Sequence, residues 1–284
     1  CTWAGVLSAS HMVSILFSTT SRESVLVDSV IRCSRQMARS DLVTPVSAAR
    51  MNTTARIGTW IAPSATDPDV TLTLNAHNNI NINASLTASG AGKLNVVVNA
   101  NTDAVGGGAA SLNSGASLVL KGGTISSSNG SALTVVNGTL DNVVLATNLS
   151  TSNQLYIQNG LTLSSATITI SGGTVYYSGT QTFGGTGGLV FAGASSGYLY
   201  RQTAGTTLTI GSGITVSGSG TGNVNLGYYT DDAINFQGTL NANVAGKTWH
   251  LGSVANTGNI NISAGTVYMD TVSGTGTWTN TGTV

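Results

Sequence analysis

From about residue 61 onward, aliphatic side chains occupy every second position of short runs. Val70, Leu72 and Leu74 make one run, Ile80 and Ile82 the next, and Leu94, Val96 and Val98 a third. Alternation of this kind places the apolar side chains on one face of a β-strand. The pattern continues through Leu118/Leu120, Leu155/Ile157, Leu161/Leu163, Ile168/Ile170, Leu208/Ile210, Val224/Leu226, Ile234/Phe236 and Ile260/Ile262. Between the runs stand Asn137-Gly138, Asn159-Gly160, Gly172-Gly173, Gly187-Gly188 and Ser212-Gly213, residues suited to the positive φ of tight corners. The chain is therefore expected to be all-β, with strands of about five residues following one another roughly every ten.

Two architectures produce such a pattern: a hairpinned sandwich or barrel, and a parallel β-helix (solenoid). The outward positions decide between them. They carry Thr, Ser and Asn with almost no Lys or Glu, as expected where equivalent positions stack coil upon coil and like charges would repel. Near-repeats add weight, since Gly205-Thr-Thr-Leu-Thr-Ile210 precedes Gly213-Ile-Thr-Val216, and Thr257-Gly-Asn-Ile-Asn-Ile262 precedes Gly265-Thr-Val267. The solenoid is the favoured reading. A single coil of 20 to 24 or so residues buries too few side chains to offset the entropy of ordering it, so coils must stack on neighbours. Trp278 to Val284 still follow the repeat, which leads to the expectation that the chain is a piece of a longer protein.

Residues 1–60 depart from this pattern and are expected to form a separate, atypical segment ahead of the repeat region 61–284. Thr20-Ser-Arg-Glu23 has the form of a capping box, and Leu26, Val30, Cys33 and Met37 share a helical face, which predicts a helix from about 22 to 38. Such a helix either caps the first coil or lies on an anionic surface; the alternative is a weakly structured segment. The segment holds six arginines against Glu23, Asp28 and Asp41.

Charge excludes more than it identifies. Ten basic and ten acidic side chains cancel, and charged residues are 7% of the chain against about 25% in ordinary globular proteins. That balance disfavours a basic nucleic-acid binder. The sequence contains no apolar run of the roughly 18 residues that a spanning helix needs. Cys1 and Cys33 are the only cysteines, so the repeat region carries no thiol that could be trapped in a wrong disulfide during export.

Asp69-Val-Thr-Leu-Thr-Leu-Asn-Ala-His-Asn-Asn-Ile-Asn-Ile-Asn-Ala84, Leu86-Thr-Ala-Ser-Gly90, Val98-Asn-Ala-Asn-Thr-Asp103 and Ser111-Leu-Asn-Ser-Gly115 resemble filamentous-haemagglutinin-like exoproteins, which are large bacterial surface adhesins. The resemblance implies a right-handed parallel β-helix, a secreted or cell-surface location, two-partner secretion through an outer-membrane transporter, and adhesion to glycans or proteins of host or neighbouring cells. Beyond this stretch the repeats also look like those of autotransporter passengers.

Chemistry-bearing clusters are sparse. A β-helix polysaccharide lyase or hydrolase is the alternative reading and needs paired carboxylates or a base beside a cation. Asp231 and Asp232, next to Tyr228 and Tyr229, are the only adjacent acids of the repeat region; adjacent strand residues point to opposite faces, so a loop position is expected for them. Asp67 and Asp69 flank Pro68 in what reads as a turn. His11, His77 and His250 are scattered, and no pair has zinc spacing, so neither metal nor cofactor is expected. Asn75, Asn79, Asn81 and Asn83 are expected at corners, with amides bonding along the stack. Tyr156, Tyr177 and Tyr198 are spaced by 21 residues, a plausible coil length. They are expected to form one column, facing either into the core or outward as a ligand-contact stripe for apolar sugar faces. The functional expectation is a non-enzymatic adhesin repeat region acting by multivalent contact, with a purely structural filament as a further alternative.

Overall fold

The computed structural model describes strands at Met12–Ser14, Leu26–Ser29, Thr53–Ile57 and Thr59–Trp60, and residues 70–280 apart from 77, 83–84, 89–92, 103–107, 113–114 and 228–232. The described strands pair parallel, strand on equivalent strand of the next coil, which is the arrangement of a β-solenoid and excludes a hairpinned sandwich for this region. The chain divides into two units, Cys1–Thr134 and Val135–Val284.

In the first unit, Val70–Asn75 lies in register with Leu94–Asn99, so that Leu72, Leu74, Val96 and Val98 form inward columns and are all buried. Leu94–Asn99 in turn pairs Thr124–Ser126, bringing Ile125 onto Val96. Ile80–Ile82 pairs Ala110–Leu112, and Leu86–Ala88 pairs Ser117–Lys121. Below residue 61, Thr53–Ile57 pairs Ile80–Ile82 and Leu26–Ser29 pairs Thr53–Ile57. Here the helix expected from about 22 to 38 is corrected: Leu26–Ser29 is extended. Its Leu-Val-Asp-Ser sequence includes a β-branched residue and gains a parallel partner strand, and ladder pairing outweighs the helical periodicity. The remainder of the expected helix lies outside the described residues.

The second unit follows the same rule with longer strands. Leu149–Ile170 pairs Gly173–Ser178 and Gln181–Phe191; these pair Gly197–Arg201, Thr207–Ile210 and Ile214–Gly218; further coils follow to Asn259–Ser273 and Thr277–Asn280. Coil length is not fixed. Leu155 stacks on Val175 after 20 residues, Val175 on Leu199 after 24, and Leu251 on Met269 after 18. Extra residues leave at the corners, as at 192–196 between Phe191 and Gly197, while most inward positions stay aliphatic or aromatic. The core therefore tolerates variable corners. Phe191 meets Trp249 edge to face at 6.1 Å, and the space is open because Gly197 has no side chain: a Cβ there would sit 2.5 Å from the Phe191 ring.

Corners are made in two ways. Gly173 adopts φ +98°, and a Cβ would collide with the Asn153 carbonyl oxygen at 2.1 Å, so glycine is required there. The Gly187-Gly188 pair, expected at a corner between strands, instead lies inside Gln181–Phe191, where the register slips by one residue opposite Ser164 and Ala166 and the chain bends without leaving the ladder.

Candidate binding face

The three tyrosines expected in one column are divided by the register. Tyr156 pairs Tyr176, and Tyr176 pairs Tyr200, so the aromatic column is Tyr156, Tyr176 and Tyr200. Tyr177 pairs Ile157 and points inward, fully buried, while Tyr198 pairs Thr174 on one side and Asn225 on the other. The reason is strand alternation combined with unequal coils. Adjacent residues face opposite ways, so only one of Tyr176 and Tyr177 can lie outside, and a spacing of 21 matches neither the 20-residue nor the 24-residue step. Parity would have found this, since Leu155 and Ile157, Val175 and Tyr177, and Leu199 are the inward positions, leaving Tyr156, Tyr176, Tyr198 and Tyr200 outside.

On the outer face the half-buried rings of Tyr156 and Tyr176 stack with centroids 5.0 Å apart and planes 15° from parallel. Tyr198 and Tyr200, two residues apart on one strand, have centroids 5.0 Å apart at 40°. The Tyr156 hydroxyl donates to Gln154 Oε1 at 2.8 Å. Further along, His250 stacks on Tyr268 at 4.9 Å and 18°, and Tyr268 is 52% exposed. Asn225 lies in register between Tyr198 and His250, so one outward row runs Thr174, Tyr198, Asn225, His250, Tyr268.

In the first unit the asparagines bond along the stack. Asn99 Nδ2 donates to Asn75 Oδ1 at 2.7 Å, Asn79 Oδ1 accepts from the Ala109 backbone N–H at 3.0 Å, and Asn81 Oδ1 accepts from Ser111 Oγ at 3.3 Å. Asn83 lies outside the described residues, as do His11, His77, Asp67, Asp69, Asp231, Asp232, Tyr228, Tyr229, Cys1 and Cys33. Among the described residues no three His, Cys, Asp or Glu side chains gather into a metal-sized group. A depression lined by Ala233, Ile234, Asn235, Ser253 and Val254 encloses about 100 Å³, below the roughly 300–1,000 Å³ of small-molecule sites.

One feature escaped the sequence reading. Lys247 is 1% exposed, inside the second unit, and its ammonium donates to the carbonyls of Gly222 at 2.6 Å, Gly220 at 2.8 Å and Phe191 at 3.2 Å. It also lies 5.8 Å from the Trp249 ring centroid. Burial holds its pKa below the ordinary lysine value. Gly218 makes room for the side chain, since a Cβ there would meet Lys247 Cε at 2.4 Å. The available signal was parity: Lys247, Trp249 and Leu251 share the inward side.

Compared with known proteins, the chain matches no family model, no curated protein and no solved structure.

Proposed function

We propose that this chain is a repeat region of a bacterial adhesin in the style of filamentous haemagglutinin or autotransporter passengers, secreted or held at the cell surface. It attaches to glycans or proteins of host or neighbouring cells through many weak contacts. An outer-membrane transporter is the export partner that this reading requires.

The observation that supports the reading is the repetition of outward chemistry from coil to coil. Asn261 stands on Asn241 with an amide hydrogen bond of 3.0 Å, and Tyr176 stands on Tyr156. Parallel stacking offers equivalent groups at steps of about 4.8 Å, so a surface is presented rather than a cavity. Contacts of this sort are individually weak, and repetition raises avidity by about 10² to 10⁴.

The test presents the purified chain on beads at graded density to cultured epithelial cells and to bacteria. Adherence that climbs steeply with density, while single chains in solution bind 10²-fold or more weakly, is expected from the gain that multivalency supplies. Beads that adhere to neither cell type at any density would defeat the reading.

A further inference from the structure

We propose that the outer face built by Tyr156, Tyr176, Tyr198 and Tyr200 is a binding site for a neutral polysaccharide chain. The inference rests on the adhesin reading and names the ligand class for one of its surfaces.

Ring geometry supplies the first argument. Parallel rings in contact are separated by about 3.5 to 4.0 Å, so Tyr156 and Tyr176, with centroids 5.0 Å apart, are slid past each other and each ring is only partly covered by the other. Tyr200 continues the column in register with Tyr176, and Tyr198 broadens it sideways. The result is a strip of half-buried aromatic carbon across three successive strands, Leu149–Ile170, Gly173–Ser178 and Gly197–Arg201, suited to the C–H faces of pyranose rings.

Charge supplies the second argument and selects the ligand. The outward neighbours are Gln154, Gln158, Thr174, Ser178 and Asn225, all neutral donors and acceptors. Arg201 follows Tyr200 directly, pairs Tyr177 and is partly exposed at the end of its strand. Aromatic rings bordered mostly by neutral amides and hydroxyls match a ligand that has apolar ring faces and hydroxyl groups, whereas an anionic glycan calls for more positive charge than Arg201 alone brings to the edge of this face.

The experiment measures retention of the 284-residue chain by affinity electrophoresis in gels containing a soluble β-glucan, a mannan or a galactan, with heparin as the anionic counterpart. Retention by at least one neutral polysaccharide is expected. Tyr176→Ala and Tyr200→Ala should each weaken it about tenfold, and Tyr176→Phe should leave it unchanged. Thr174→Arg keeps every ring and crowds the face, so it should also weaken retention, with an unaltered melting curve separating this from misfolding. Retention by heparin alone, by no neutral polysaccharide, or equally by wild type and Thr174→Arg would overturn the proposal. Beads coated with the chain and presented to cells distinguish the two readings: adherence that survives Tyr200→Ala and Thr174→Arg leaves the adhesin and removes this site, while absence of all adherence by the wild type removes both.

Discussion

Tyr176 and Tyr177 are neighbours in sequence with opposite roles. The first stacks on Tyr156 at the surface, and the second is fully buried against Ile157. Tyr177→Ala is expected to cost about 3 to 5 kcal/mol in urea unfolding, the range for removing a core aromatic, and Tyr176→Ala clearly less. Equal losses would contradict the inward assignment. Lys247 carries a pH signature whose sign follows from linkage. Its pKa is lowered in the folded chain and ordinary in the unfolded one, so between the two values the unfolded chain holds more protons. Stability from this group therefore rises with pH through that window, up to about 10.4. The urea midpoint of the wild type should rise relative to Lys247→Met as pH increases toward 10.4. A relative fall would mean that the carbonyls of Phe191, Gly220 and Gly222 bind the proton more strongly than burial repels it.

At the scale of strands and coils, the inward columns were legible because alternation fixes them. Leu155, Ile157, Leu161, Leu163, Ile168 and Ile170 are all buried as the period-two pattern requires. Coil length was not legible. It depends on how many residues leave at each corner, and Gly and Asn allow corners of several lengths without marking which is used. That is why a spacing of 21 misplaced the tyrosine column, and why the inward parity of Lys247 did not reveal its slot, which Gly218 opens from a coil away. Leu26–Ser29 adds the converse lesson: a four-residue stretch fits a helical and an extended pattern, and the partner strand chooses. Between coils, Gln181 bonds on every side. Its Nε2 donates to Ile157 O at 2.8 Å and Ser178 O at 2.9 Å, and its Oε1 accepts from Gly160 N–H at 3.0 Å. Gln181→Leu should destabilise the second unit by about 1 to 3 kcal/mol, because buried backbone groups lose their partners. A change within 0.5 kcal/mol of zero, on the scale of an ordinary surface substitution, would show that this bridge is dispensable.

For the molecule as a whole, the proposed function follows from coils lying parallel on one another in each unit, since that arrangement repeats the outward chemistry. Cross-linking reads this directly. With Cys1 and Cys33 replaced by Ser, Thr169→Cys combined with Val190→Cys places two thiols on register partners of adjacent coils, within the roughly 4.4 to 6.8 Å between Cα atoms that a disulfide spans. Mild oxidation should close the 169–190 bridge in the folded chain, and Thr169→Cys with Thr182→Cys should remain open. Closure of the second pair in preference to the first would contradict the parallel stack.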